Sequence, residues 1–434
     1  MSHKQRSTAF NIITTLITKF TLLFGGFFVS ILLARLLGPE GKGIITAVFV
    51  FPLLMVSLAD MGIRQATAYY VGKGEHKLSE IISSIAFLWI ITSASSILIV
   101  LVYFLLGPSD QYAWIILLVA LASIPIKLIE QYAKGIMLGK NRISTINISQ
   151  LLRLAANILS VLLLVWLFDL GVLGAALVQI IMALTIAIYY LIKVTNYHKI
   201  KFKPVSPLPK LLFMRGFGFA AALFIINLNY KIDIMILDRL VSAEEIGLYS
   251  VGVNFAELLW QIPSAVGMVL FAKSTTSKNQ VDAVERSTAI LRLVLPIMVI
   301  SSIFIAVFAP YVIRILYGID FIESGNILRI LLPGICFITV SKILHPDLAG
   351  RGYPLFALRV FILTLLINIL LNFLFIPTYG VNGAAFASTI SYIVSGIGFG
   401  YVYSRKERIP MSNIFIIKRS DISRVKGIIL KKVS

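Results

Sequence analysis

Leu33-Ala34-Arg35-Leu36-Leu37-Gly38-Pro39-Glu40-Gly41-Lys42-Gly43 is the first polar break between two long apolar runs. Its skeleton returns at Leu237-Asp238-Arg239-Leu240-Val241-Ser242-Ala243-Glu244-Glu245-Ile246-Gly247. Arg35 aligns with Arg239, Glu40 with Glu244 and Gly43 with Gly247. A second echo opens the last apolar run of each half: Gly171-Val172-Leu173-Gly174-Ala175-Ala176 and Gly380-Val381-Asn382-Gly383-Ala384-Ala385. Two matches at nearly one offset read as a membrane unit written twice in tandem, a pattern found in transporters.

Composition supports the membrane. Of 434 residues, 59% are hydrophobic and 13% charged, more apolar surface than a soluble chain could bury. The apolar runs are about 20 residues long, enough to cross a ~30 Å hydrocarbon layer as helices. A transmembrane barrel would show short alternating segments instead. The reading is an all-α polytopic membrane protein with about twelve transmembrane helices in two six-helix lobes. Residues 1–193 form the first lobe, and 211–404 the second. Between them, 194–210 carries Pro204, Pro207 and Pro209 among lysines and reads as a linker. The tail, 405–434, sets Ile422, Val425 and Ile429 at helical spacing beside Arg424, Lys426, Lys431 and Lys432. It suits either a helix lying on an anionic leaflet or a solvated end.

The net charge of +20 sits mainly on one set of loops. With the N-terminus in the cytoplasm, the inner segments hold most Lys and Arg, and the outer loops hold only Arg35, Lys42, Arg239 and Arg314. That asymmetry predicts both termini inside and an even number of spans, and it explains the charge without nucleic acid. The lone Cys336 excludes an internal disulfide, and the first span reads as an uncleaved helix.

Seven basic residues fall within spans: Lys19, Arg64, Lys127, Arg153, Lys231, Arg292 and Arg329. A lipid-facing charge at mid-helix costs on the order of 3 kcal/mol, so most should face a hydrated interior. Lys127 and Arg292 lie toward span ends, where snorkelling would serve. Lys19, Arg64, Arg153 and Lys231 sit on polar stripes. Asn11, Thr15 and Lys19 share a face of the first span; Asp60 and Arg64, four apart, share one of the second; Arg153 and Asn157 share one of the fifth. Asn227 and Lys231 lie one turn apart in the seventh, Asn254, Glu257 and Gln261 stripe the eighth, and Asn368 belongs to the eleventh. Such Asn and Thr residues also serve as plain interhelical glue. Basic residues outnumber the acids Asp60, Glu130, Asp233 and Glu257, which favours an anionic ligand. No nucleotide-binding glycine loop, metal-ligand spacing or nucleophile–base pair is present, so no cofactor, metal or enzyme chemistry is expected. His345-Pro346-Asp347 reads as a loop cluster.

With Asn229-Tyr230-Lys231-Ile232-Asp233-Ile234-Met235-Ile236-Leu237 before the second Arg-Leu motif, and the Gly-Val-x-Gly-Ala-Ala openings, the chain resembles the polysaccharide transporter (O-antigen flippase) family. That family belongs to the multidrug/oligosaccharidyl-lipid/polysaccharide exporter superfamily. The resemblance implies two lobes around a central cavity and alternating access. It implies an undecaprenyl-pyrophosphate-linked oligosaccharide as cargo, carried across a bacterial inner membrane, with membrane lipids and a polysaccharide polymerase as neighbours. Lys19, Arg64, Arg153 and Lys231 would meet the pyrophosphate. Asn11, Thr15, Asn157, Asn227, Asn254, Gln261 and Asn368 would meet sugar hydroxyls. Asp60, Asp233 and Glu257 are candidates for coupling to a proton or sodium gradient or to the membrane potential. The two further C-terminal spans of the peptidoglycan-precursor flippases are missing. A multidrug or cation antiporter of the same superfamily, and a membrane enzyme or scaffold of polysaccharide assembly, are the alternatives.

Overall fold

The computed structural model describes residues 8–107, 111–195, 197, 206–277, 279–418 and 421, with the side chains of 8–13, 15, 16, 217–223, 354 and 357 excepted. The linker residues 196 and 198–205, and tail residues 419, 420 and 422–434, lie outside that description, and with them the tail's apolar–basic stripe.

Every regular element among the described residues is helical, as apolar runs must be when no water is available for the backbone. In order they are α1 (Thr8–Asp60), α2 (Ile63–Lys73), α3 (Leu78–Leu105), α4 (Trp114–Gly139), α5 (Ile143–Ser160), α6 (Gly171–Thr195), α7 (Leu208–Asn229), α8 (Ile232–Leu240), α9 (Ala243–Thr275), α10 (Gln280–Tyr317), α11 (Ser324–Gly350), α12 (Leu358–Glu407) and the short α13 (Ser412–Phe415). A π-helical turn, Val161–Leu167, extends α5.

Among the described residues, nine helical stretches are long and apolar enough to cross a bilayer. Two of them fold back at a glycine: α1 at Gly38 (φ 67°), in the opening stretch, and α12 at Gly380 (φ 53°). Each therefore accounts for two crossings, and α7 with α8 supplies the seventh span, in keeping with about twelve. Large apolar side chains such as Trp166, Ile300, Phe304 and Ile315 point outward, as expected where the solvent is hydrocarbon.

The chain forms two compact units, Met1–Asn227 with Ser242–Gly247, and Leu228–Val241 with Leu248–Ser434. They divide inside the seventh span and not in the 194–210 linker. The reason is packing: α7 docks on α2, with the Arg215 guanidinium 3.4 Å from the Tyr69 ring centroid. The span then breaks at Tyr230-Lys231, and α8 belongs to the second unit.

In the first unit the two copies of the opening motif meet. A Cβ on Gly43 would collide with the Ala243 carbonyl, and one on Gly247 with the Pro39 carbonyl. Pro39 and Ala243 occupy equivalent places in the repeat, so the contact is reciprocal. Only glycine permits backbones this close. The Ser242–Glu245 capping box starts α9 at this point: the Glu245 amide donates to Ser242 Oγ (3.3 Å), and the Ser242 amide to Glu245 Oε2 (3.2 Å).

In the second unit α11 runs through His345-Pro346-Asp347 to Gly350, so these residues are helical and not a loop. Asp347 is fully buried. It accepts from Ser274 (2.6 Å) on α9, Ser287 (2.9 Å) on α10, Tyr403 (2.9 Å) on α12 and Arg351 (2.7 Å). One carboxylate thus ties four helices together. Arg292 also departs from its sequence reading: it does not snorkel. It is 2% exposed and pairs through Nε (2.7 Å) and Nη2 (2.9 Å) with the equally buried Asp421, and it donates to the Asn413 carbonyl. A buried carboxylate beyond the last span offers the arginine a better partner than water at the end of its reach.

Candidate functional site

The second span carries its charges on either side of a break. α1 ends at Asp60, Met61 (φ 37°) and Gly62 (φ 68°) turn the chain, and α2 begins at Ile63. Asp60 Oδ1 accepts from the Arg64 amide at 3.3 Å, and its carboxylate lies 3.9 Å from the Arg64 guanidinium. The expected i,i+4 pair is therefore formed, across a turn. Arg64 Nη1 also donates to Gln131 Oε1 at 2.8 Å.

α4 brings Gln131 to that position. Its Gly135 and Gly139 face α2: a Cβ on Gly135 would lie 2.7 Å from the Arg64 carbonyl, and one on Gly139 2.8 Å from the Ala68 carbonyl. Two glycines one turn apart allow backbone contact along a whole face. The same face of α4, one turn earlier, carries Lys127 and Glu130. Glu130 is buried and forms an ion pair with Arg153 of α5.

These residues line one cavity of about 390 Å³ within the first unit, with Ser57, Gln179 and Asn227 completing its polar wall and Leu53, Val56, Met182 and Ala183 its apolar one. Asn227 donates to Ser57 Oγ at 3.2 Å. Three cations, Arg64, Lys127 and Arg153, face two carboxylates, Asp60 and Glu130. Arg64 and Arg153 keep 26% and 30% of their side chains exposed, so both retain donors for a ligand. Lys127 is the outlier. It is 8% exposed, with no acid within 4 Å among the described residues; the Phe49 ring centroid lies 5.8 Å from its Nζ. It does not snorkel.

The remaining sequence candidates fall elsewhere. Lys231, at the break of the seventh span, pairs with Glu257 of α9 at 3.2 Å in the second unit. Asp233 is buried there and accepts from Tyr249 (2.5 Å) and Ser388 (2.7 Å). Asn254 is half-buried and Gln261 exposed, on either side of Glu257 along α9. Asn368 is buried and accepts from Asn372 Nδ2 at 3.0 Å. Asn157 follows Arg153 on α5 and does not line the cavity; its Oδ1 is buried without a hydrogen bond. Lys19 is exposed on α1, away from this cavity. The side chains of Asn11 and Thr15 lie outside the described residues. Arg329 serves its own helix pair: its Nε donates to the Ala306 carbonyl at 2.7 Å, the acceptor that Pro310 leaves without an amide.

Lys127, Gln131 and Gln179 are additions to the sequence candidates. Lys127-x-x-Glu130-Gln131 has the i, i+3, i+4 spacing of one helical face, so the signal existed. Lys342 sits in the second unit with its Nζ 4.5 Å and 4.4 Å from the Tyr230 and Trp260 ring centroids.

The family model described as "Polysaccharide biosynthesis protein" matches residues 8–272, which is more than half of the chain and includes this cavity. The chain belongs to the polysaccharide biosynthesis protein family. A second model, MatE, matches residues 219–374, and the family belongs to the multidrug/oligosaccharidyl-lipid/polysaccharide superfamily. It is 23% identical to a "Putative O-antigen transporter" of Shigella flexneri, over 86% of this chain and 92% of the relative. Its fold matches lipid II flippase MurJ in an inward closed conformation (TM-score 0.74, 18% identity, 97% of this chain and 93% of that one). It also matches an inward-facing multidrug resistance MATE family transporter (TM-score 0.70, 16% identity, 92% and 98%). The all-helical membrane fold of MurJ and MATE is thus the fold of this chain.

Proposed function

We propose that this chain is a flippase. It moves an undecaprenyl-pyrophosphate-linked oligosaccharide from the inner to the outer leaflet of a bacterial plasma membrane by alternating access, for O-antigen, capsule or exopolysaccharide assembly. Both termini lie in the cytoplasm. One observation carries the reading: the first unit's cavity sets Arg64, Lys127 and Arg153 against only Asp60 and Glu130. An anion completes that balance, and a cation worsens it. The O-antigen transporter of Shigella and the lipid II flippase point to the same class of cargo.

The two arginines are held ready. Asp60 and Gln131 orient Arg64, and Glu130 orients Arg153, while each guanidinium keeps free N–H groups. A pyrophosphate entering the cavity gains charge-assisted hydrogen bonds from both, each of about 1.5–3 kcal/mol, and supplies Lys127 with an anion. Asn227, Gln179 and Ser57 offer donors and acceptors for the first sugar. In the second unit, Lys231, held by Glu257, is the further cation proposed to meet the cargo's anion. Asp60, Asp233 and Glu257 are the groups through which a proton or sodium gradient would act.

Reconstitution with a labelled polyprenyl-pyrophosphate oligosaccharide tests the reading. Arg64→Gln and Arg153→Gln should each cut translocation at least tenfold with normal protein abundance. The discriminating variant is Glu130→Gln. If Arg153 serves only its ion pair, losing either partner does equal harm, and the double variant recovers. If Arg153 serves the cargo, Glu130→Gln keeps more activity than Arg153→Gln, and the double variant stays inactive. Retained flipping in both arginine variants would end the proposal.

A further inference from the structure

A second cavity in the first unit differs from the first in every respect. It holds about 240 Å³ between α3, α4 and α6, and its wall is almost wholly hydrocarbon. Ile82, Ile85 and Trp89 come from α3, Tyr132 and Ile136 from α4, and Leu191 from α6. The wall's two polar groups are already engaged by protein. Trp89 Nε1 donates to the Pro125 carbonyl at 2.8 Å, and Tyr132 Oη donates to the Ala59 carbonyl at 2.9 Å, with Thr92 Oγ1 at 3.0 Å. Nothing remains to hold water, and an apolar cavity of this kind takes an apolar guest.

Position says which guest. Ile90, Ile91, Ile188 and Ile192, on the same helices, are about half exposed, so the cavity sits at the hydrocarbon-facing surface. The helices around it finish on lysines at one membrane face, because α3 starts where α4 and α6 end. Lys77 precedes α3, Lys140 caps α4, and Lys193 lies in the last turn of α6. Lys77 and Lys140 are exposed and Lys193 half-buried, and none has an acid within 4 Å among the described residues.

We infer that this cavity seats one acyl chain of an anionic diacyl phospholipid from the leaflet at that face, with its phosphate among Lys77, Lys140 and Lys193. The apolar pocket binds the chain, and the lysines select the head group. The lipid is a resident and not the cargo: α4 separates its pocket from the polar cavity, which uses Lys127 and Glu130 on the helix's opposite side. The inference does not depend on the proposed cargo.

The test uses the whole protein in detergent, with phosphatidylglycerol or phosphatidylcholine of equal chain length added. Phosphatidylglycerol should raise the unfolding temperature more than phosphatidylcholine. Ala86→Phe fills the cavity and should abolish the increment while leaving unfolding in lipid-free detergent unchanged. Lys77→Gln, Lys140→Gln and Lys193→Gln together should bring the two lipids level. Should Ala86→Phe fold poorly, Trp89 provides a second readout. Phosphatidylglycerol brominated on its acyl chains should quench it saturably in a variant whose other tryptophans are phenylalanine. Equal stabilisation of wild type and Ala86→Phe, or quenching that never saturates or is equal for both lipids, would overturn the inference. Selective stabilisation by a polyprenyl phosphate alone would do so too.

Discussion

At the scale of single residues, Lys127 and Arg292 show opposite fates of a buried cation. Arg292 is matched by Asp421, and removing one partner strands the other. Arg292→Ala or Asp421→Ala should each cost on the order of 3–5 kcal/mol, seen as a fall in unfolding temperature, and Arg292→Met with Asp421→Leu should recover much of it. Lys127 has no acid within 4 Å among the described residues. Lys127→Met should raise stability by about 1 kcal/mol and lower translocation, because a charge kept at a cost to the fold is kept for its ligand. The sequence places both cations within spans, toward their ends, where snorkelling would have served. It does not show which has an acid waiting, because Asp421 is distant in sequence and lies in a tail with no pattern that points to α10.

At the scale of helices, close contact positions the polar cavity. Gly135→Val would push α2 off α4 and carry Arg64 away from Gln131. The expected outcome is a loss of about 1–3 kcal/mol in unfolding free energy, together with reduced transport. Arg329→Leu should cost about 1–3 kcal/mol by leaving the Ala306 carbonyl unmet beside Pro310, with transport unaffected at equal abundance. Helical stripes were legible, since Asp60, Arg64, Arg153 and Asn227 come to one cavity from the second, fifth and seventh spans. The breaks at Met61-Gly62 and Tyr230-Lys231 were not, because hydropathy averages over a window longer than the two residues that turn the chain.

At the scale of the whole molecule, the number of crossings and the tandem repeat follow from hydropathy and from two short motifs. Gly171 (φ 51°) and Gly380 (φ 53°), matched by sequence, both adopt a positive φ. The seam between the compact units was less legible: compact units follow packing, and α7 packs with the first. Asp347 carries a larger share of the second unit's integrity than its place in sequence suggests. Asp347→Ala should destabilise the protein by about 3–5 kcal/mol, because Ser274, Ser287, Tyr403 and Arg351 would lose a shared buried acceptor and Arg351 would keep only Glu407, and abundance in the membrane should fall accordingly.

The reciprocal meeting of Gly43 and Gly247 has a consequence for how the two copies can diverge. Where side chains interlock, a larger residue on one side can be answered by a smaller one opposite. Here the obstacle on each side is a peptide carbonyl, which no mutation can shrink. Enlarging either glycine therefore has no suppressor at the other, and both copies of the motif carry the same requirement.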